Sequence, residues 1–407
     1  MREARSSARN RFHAVAAGYL GWTMDAFDFF VVVFLVDTLA DHFGVPKKQI
    51  VWTLTATLAM RPVGAVIFGL LADRYGRRIP LIANLLFFST VEVLCGFAPN
   101  FATFIVLRAL FGIGMGGEWG VGASLAMESA PRKWRGILSG VLQSGYSMGY
   151  LLAAVAARLV LPAWGWRAMF WIGGAPALLA LYVRVQVPES EAWLQKRAPS
   201  VRAIAGIVRR FAPRLAYLVV LMTMMMFLSH GTQDLYPDFL KIEHGIAPRT
   251  VADVAILYNI GAIAGAILFG QLSQRIGRRL SMASALGLCL IAMPAWAFGG
   301  SLAALAIGAF FMQFGVQGAW GIIPAHLNEL SPDETRGLVP GLAYQLGILF
   351  ASPVNTIEYG LRDQIGYGWA LAAFEASVIL VLVALLRLGP EHHGKTFLEE
   401  AVAEART

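Results

Sequence analysis

Apolar runs of about 20 residues, the length that carries an α-helix across the hydrocarbon core of a bilayer, recur along this chain at 12–36, 50–72, 79–98, 101–123, 136–160, 167–187, 213–237, 250–272, 280–299, 302–324, 338–361 and 367–388. Lipid offers no partner for backbone N–H and C=O groups, so runs of this kind are expected to be helices that satisfy their own hydrogen bonds. The expected fold is an all-α membrane protein of twelve transmembrane helices. Composition agrees, because 57% hydrophobic and 14% charged residues leave too little polar surface to cover a water-soluble globule of 407 residues. The formal charge of +8 does not mark a nucleic-acid surface, which needs basic residues gathered on one accessible face. Here they sit in short gaps between apolar runs. The lipid bilayer is the expected partner, and nucleic acid is not.

Orientation follows from those basic residues. With the N-terminus in the cytoplasm, most lysines and arginines fall on the cytoplasmic side: Arg2, Arg5, Arg9, Arg11, Arg74, Arg77, Arg78, Arg132, Lys133 and Arg135, the run from Arg184 to Arg214, then Arg275, Arg278, Arg279, Arg336, Arg387, Lys395 and Arg406. Lys47, Lys48, Arg158, Arg167, Lys241, Arg249 and Arg362 fall outside, while Arg61 and Arg108 lie within spans. This asymmetry places both termini in the cytoplasm. The expected location is the cell inner (plasma) membrane, as a multi-pass monomer. The first stretch is basic and then apolar like a signal peptide, yet its apolar region is about twice the usual length, so it is read as the first span. Cys95 and Cys289 fall within spans without metal-ligand neighbours and read as packing residues; no metal or cofactor is expected.

An internal repeat organises the spans. A shift of 201 residues aligns GLLADRYGRR, from Gly69 to Arg78, with GQLSQRIGRR, from Gly270 to Arg279. The same shift pairs Gly117, Trp119, Gly120, Glu128, Arg135, Gly136 and Gly140 with Gly318, Trp320, Gly321, Glu329, Arg336, Gly337 and Gly341. Two six-helix halves related by duplication, 1–187 and 213–407, joined by a charged cytoplasmic linker at 188–212, are expected to rock around a central cavity.

The segment from Gly69 to Arg78 resembles the loop between helices 2 and 3 of the major facilitator superfamily, and RALFGIGMG from Arg108 resembles that superfamily's helix 4 motif. The resemblance implies the major facilitator fold, with two pseudo-symmetric six-helix halves. In physical terms Gly69 and Gly76 permit a tight turn and close helix approach. Asp73, Arg77 and Arg78 offer charges that can latch one half to the other; in the second copy Gln274 replaces the acid, so a weaker latch is expected there.

Ionisable groups inside spans are costly and usually face a cavity, so function is sought among them. Asp25 and Asp28 share one face of helix 1, being three residues apart. Arg61 lies near the middle of helix 2, Glu92 in helix 3, Arg108 and Glu118 in helix 4 and Glu375 in helix 12. In helix 7, SHGTQD sets His230, Gln233 and Asp234 on one face. Such a patch can hold a proton at one stage of a cycle and release it at another; a packing cluster of hydrogen bonds is the alternative. Arg61 is the candidate to hold an anionic substrate, because its fork matches a carboxylate and its charge is permanent, the alternative being a structural partner for an acid. Asp25 and Asp28 either take part in proton coupling or balance the arginines. Arg108 and Glu118 read as coupling or structural charges.

WTMDAFDFF, RPVGAVIFG, GMGGEWGVG and above all SHGTQD resemble the sialate:proton symporter family, and within it the branch of lactate and pyruvate permeases. The resemblance implies proton-coupled uptake of a short monocarboxylate. It points to Arg61, His230, Gln233, Asp234 and Gln345 as site residues. The family's helix 7 motif begins with Asn and closes with Thr where this chain has Met226 and Asp238, and fungal members carry Asn where it has Ile348; Asn355, about two turns beyond, is the candidate for the missing amide. The short charged linker favours the monocarboxylate branch over the sialate carriers, which resemble fourteen-helix proteins. The DAFDF element has a cousin in aromatic-acid symporters, so an aromatic or sialate-type acid is the alternative substrate. One arginine answers one carboxylate, and one co-transported proton leaves the cycle electroneutral. A receptor or a pore on the same fold is the rival of a different class. No nucleophile with a paired base, metal cluster or phosphate loop suggests an enzyme.

Overall fold

The structure is a computed structural model that describes residues 2–195, 200–395 and 397, the side chains of 2–8 and of Val201 excepted. Arg2, Arg5, Lys196, Arg197 and Arg406, which entered the orientation reading, lie outside the described side chains.

The first half contains α1 (Arg2–Phe43), α2 (Lys47–Tyr75), α3 (Arg78–Cys95), α4 (Phe101–Ser129), α5 (Arg135–Ile172) and α6 (Pro176–Gln186). A short α7 (Glu191–Leu194) follows. The second half contains α8 (Val201–Gln233), α9 (Tyr236–Ile242), α10 (Pro248–Ile276), α11 (Arg278–Phe298), α12 (Leu302–Trp320), α13 (Ile323–Leu330), α14 (Val339–Ala351), α15 (Val354–Ile365) and α16 (Tyr367–Leu388). Among the described residues nine helical stretches are long and apolar enough by themselves to cross a membrane. Twelve passes result for three reasons. The stretch Arg132–Gln186 is two passes divided at Gly165, whose φ of 75° breaks α5. The acid-bearing α1 is a pass in spite of its charges, and α14 with α15 is one pass interrupted at Ser352 and Pro353.

Local chemistry sets the helix ends. Asn100 and Ser301 accept hydrogen bonds from the N–H groups of Thr103 (2.9 Å) and Ala304 (3.2 Å), capping α4 and α12. Pro248 and Pro340 occupy first-turn positions of α10 and α14, where a missing N–H costs nothing. The repeated glycines Gly76 and Gly277 end α2 and α10 at φ of 97° and 90°, a conformation that other residues rarely adopt. That is why both copies of the repeat keep the glycine.

The exterior is apolar, with Leu159, Leu178, Ile291 and Leu380 turned outward, as expected where lipid is the solvent. Inside, one apolar core unites the second half with Trp22 and Trp119 of the first, and two smaller cores lie within the first half. The halves meet where α5 packs on α10 and α2 packs on α14.

Candidate substrate cavity and its closure

A cavity of about 450 Å³ lies between the halves, walled by α1, α2 and α5 on one side and α8, α10, α14 and α15 on the other. Its deep end narrows into a chamber of about 50 Å³ that reaches Arg61. Phe29, Leu58, Tyr146, His230 and Ile348 line both parts, which makes them one path. The wide part is bounded by Val51 and Leu54, in the first turns of α2, and by Asn355 at the start of α15. These helix ends lie away from the linker, so the cavity opens toward the face opposite it.

Arg61 is placed by helix packing. A Cβ at Gly116 would overlap the carbonyl oxygen of Arg61, so only glycine lets α4 approach α2 at that level. The guanidinium is 3% exposed. Its Nε donates to Gln345 Oε1 at 2.7 Å, and Gln345 Nε2 donates in turn to the Gly116 carbonyl at 3.4 Å. Among the described residues it makes no ion pair, and one terminal nitrogen, Nη2, has no partner. Tyr344 lies beneath it, with the guanidinium carbon 6.0 Å from the ring centroid. Asp25 and Glu118 act on the guanidinium through space without touching it; a buried cation with no direct partner is expensive, and an anion entering the chamber would supply one.

The helix 7 patch faces the cavity as well. His230 Nδ1 lies 3.1 Å from Asp234 Oδ2, and Asn355 Nδ2 donates to the same oxygen at 3.3 Å. His230, Gln233, Asp234 and Asn355 all line the wide part. The side chains of His230 and Asp234 are 35% and 36% exposed, so water in the cavity reaches both.

Other sequence-selected groups lie elsewhere. Gln345 does not line the cavity; it stands behind Arg61 and holds it. Asp25 and Asp28 are fully buried inside the first half and make no hydrogen bond. A Cβ at Gly173 would stand 2.6 Å from both Asp28 Oδ1 and Glu92 Cγ, which places Asp28 beside Glu92. Glu92 pairs with Arg108 at 2.7 Å, and Thr57 donates to the Arg108 carbonyl. Glu118 is buried against Gly21 of α1 without a partner. These acids and Arg108 form a buried network that lines neither part of the cavity and meets it only through the charge of Arg61, which acts on Asp25 and Glu118.

Sequence reasoning passed over Gln143, Tyr146 and Tyr150, which line the path from α5. Their recurrence at about one and two helical turns is a stripe the sequence does carry. Gln317 and Trp320 complete the deep chamber; Gln143 Oε1 and Trp320 Nε1 are buried there without partners.

The linker-side face is closed by contacts that exchange between the repeats. Asp73 accepts hydrogen bonds from the backbone N–H groups of Gly337 (2.7 Å) and Leu338 (3.1 Å) across the interface. Arg77 pairs with Asp73 at 2.8 Å and with Glu128 at 2.9 Å. Arg78 donates its backbone N–H to Glu189 at 3.1 Å and its side chain to the Arg184 carbonyl. In the second copy Arg278 pairs with Glu329 at 2.9 Å, and Gln274 accepts from Gly136 N at 3.0 Å and donates to the Arg132 carbonyl at 2.6 Å. The amide thus crosses to the first half just as the acid crosses to the second. Arg135 reaches Glu329 at 3.1 Å, and Arg336 stands 3.9 Å from Glu128, so each half lends an arginine to the other's acid. Sequence reasoning also passed over Glu189 and Glu391, which cap the two repeat turns identically through the N–H pairs of Arg77 with Arg78 and of Arg278 with Arg279. Pro-Glu after the sixth and twelfth spans was the available signal.

Two repeated six-helix halves, locked together on one face around a polar cavity that opens toward the other, form the architecture of a membrane solute carrier. Residues 12–227 match the family described as "Sugar (and other) transporter" and residues 235–406 match that described as "Major Facilitator Superfamily"; the chain belongs to the major facilitator superfamily. It is 34% identical over 390 residues to the "Carboxylic acid transporter protein homolog" of Saccharomyces cerevisiae, a match covering 89% of this chain and 63% of the yeast protein. It is 33% identical over 394 residues to the "Probable 4-methylmuconolactone transporter" of Cupriavidus pinatubonensis, covering 93% and 90%. Among solved structures, the proton:xylose symporter XylE superposes with a TM-score of 0.78 at 20% identity, over 98% of this chain and 99% of that one. That likeness shows the fold: the expected all-α arrangement of twelve spans in two halves is the one the chain adopts.

Proposed function

We propose that the chain is a proton-coupled symporter of a small monocarboxylate of the lactate or pyruvate kind, working by alternating access. The observation that carries this reading is Arg61: a buried guanidinium at the bottom of the cavity that, among the described residues, contacts no carboxylate and leaves Nη2 unpartnered. A deep chamber of about 50 Å³ suits an acid of few atoms. In this scheme the substrate carboxylate meets Arg61 of the first half while His230 and Asp234 of the second take the proton. The cation and the proton acceptor thus belong to different halves, and both must be filled before the halves rock. Gln233 and Asn355 offer amides along the path, and Gln345 acts on the substrate through Arg61. Of the three expected latch charges only Asp73 reaches the other half; it serves as the latch of the state closed on the linker side, which we place in the cytoplasm together with both termini, while Arg77 holds Asp73 and Arg78 ties the turn to Glu189 and Arg184 on its own side. Asp25, Asp28, Arg108 and Glu118 then form a buried charge network of the first half that responds to the cycle without touching substrate. The assignment to the monocarboxylate branch of the sialate:proton symporter family rests on SHGTQD and the other span motifs.

A second reading is supported by the aromatic walls of the deep chamber, where Phe29, Tyr146, Trp320 and Tyr344 surround the approach to Arg61. Flat rings stack on such walls, and a planar unsaturated acid would use them. The yeast and Cupriavidus relatives, named for carboxylic acid and muconolactone transport, fit either substrate.

The test is uptake of radiolabelled lactate into proteoliposomes under an imposed inward proton gradient, with benzoate as competitor. The expected outcome is stimulation by the gradient and loss of uptake in Arg61→Ala. Uptake indifferent to the gradient, or undiminished in that variant, would refute the symport scheme; gradient-stimulated uptake of radiolabelled benzoate with no uptake of lactate would favour the planar acid.

A further inference from the structure

Behind the helix 7 patch, on the side away from the cavity, two carboxylates meet. Glu358 of α15 and Glu375 of α16 are 1% and 0% exposed, and none of their four oxygens has a hydrogen-bond partner. Both aim at one point on α8, the bare backbone of Gly231. A Cβ there would overlap Glu375 Oε1 and stand 3.0 Å from Glu358 Oε1, so both acids reach the space of the missing side chain. Gly231 adjoins His230, which lines the cavity.

The groups that face this pair from the helices packed around it are Asp234 on α8, whose charge acts on Glu358, and Cys289 on α11, on which Glu375 acts. Among the described residues no arginine or lysine opposes either acid. Two ionised carboxylates so placed, with a third acid nearby and no cation, would repel in a medium of low dielectric with nothing to satisfy their lone pairs. A proton taken up by the pair removes the repulsion and supplies a donor that is otherwise missing, as in any coupled pair of acids. A metal cation needs several ligands gathered around one point, and among the described residues no group of three or more His, Cys, Asp or Glu is placed to hold one, so a proton is the cation this pair fits.

We propose that Glu358 and Glu375 form a proton-binding site of the second half, which takes one proton from cavity water past His230 and Asp234 and returns it to water later in the cycle. The proposal rests on the symport reading for its place in transport, while proton binding by the pair stands separately. Movement of α8 couples the site to the cavity, because the same turn carries His230 on one face and Gly231 on the other.

Two measurements test it on the full chain. In purified protein, infrared difference spectra between neutral and alkaline pH should contain the loss of a protonated carboxyl band that is missing from Glu358→Gln and from Glu375→Gln, and shifted in Gly231→Ala, where the new methyl group must push the acids apart. In proteoliposomes with radiolabelled lactate, both glutamine variants should lose stimulation by the proton gradient. Retention of the band in both variants, unaltered stimulation in both, or uptake that follows an imposed sodium gradient would overturn the proposal. If wild-type protein shows no stimulation at all, the symport reading fails, and the infrared band still decides whether the pair binds a proton. A variant that does not fold is detected by gel filtration, and Gly231→Ala then supplies the spectral comparison.

Discussion

Asp73→Asn perturbs the closure of the linker-side face by a single atom, which makes its effect calculable. The carboxylate binds two backbone N–H groups of the opposite half, those of Gly337 and Leu338. An amide keeps one acceptor oxygen and therefore one of these bonds; the other position becomes an N–H₂ facing a donor. Arg77 is not orphaned, since it retains its two contacts with Glu128, at 2.9 Å and 3.3 Å, and the large penalty for an uncompensated buried charge does not apply. What remains is one lost charge-assisted bond across the interface, worth about 1.5–3 kcal/mol. Because that bond exists only while the linker side is closed, the full amount shifts the balance between states, by roughly ten- to a hundredfold. The assay is alkylation of Val33→Cys, at the wide mouth of the cavity, by a membrane-impermeant maleimide added on the face opposite the linker. Native Cys95 and Cys289 are buried and contribute little background. Asp73→Asn in this background should slow labelling by about the fraction of time the cavity no longer faces the reagent. Equal labelling rates with and without the substitution would refute the latch.

Gln345→Glu would set a carboxylate where an amide oxygen now lies 2.7 Å from Arg61 Nε; the new pair would compete with substrate by about 3 kcal/mol, lowering affinity roughly a hundredfold in a binding or uptake assay, and unchanged affinity would show that the guanidinium does not bind the anion. Gly116→Ala would force α4 from α2 at the level of Arg61, costing about 1–3 kcal/mol by overpacking, read as a lower midpoint of thermal unfolding in detergent together with weakened substrate binding.

Much of the architecture was legible because it depends on local regularities. Span length and hydropathy mark the passes, and the shared Gly76 and Gly277 turns follow from a repeat visible at a single offset. The passes that broke were less legible: α14 and α15 part at Ser352 and Pro353, and α8 gives way to α9 after Gln233, where polar residues read equally well as lining a cavity inside one continuous span. The candidate site was legible as a set of costly residues, since any ionisable group in a span demands a reason. Which reason applies to each was not. Arg61, Asp25 and Arg108 look alike on paper, yet Arg61 ends a cavity, Arg108 is consumed by Glu92, and Asp25 lies sealed within the first half.

Hydropathy and the repeat set the twelve passes, their pairing into two halves, and the chemical identity of the groups that would have to be placed in lipid. Which of those groups share a space emerged with the packing: Gln345 meets Arg61 across 284 positions of chain, and Glu358 and Glu375 converge on Gly231. Hydrophobicity is a property of each residue and accumulates along the chain, whereas the neighbours of a buried charge depend on how every helix is rotated about its own axis. That rotation is set by packing against partners far away in sequence.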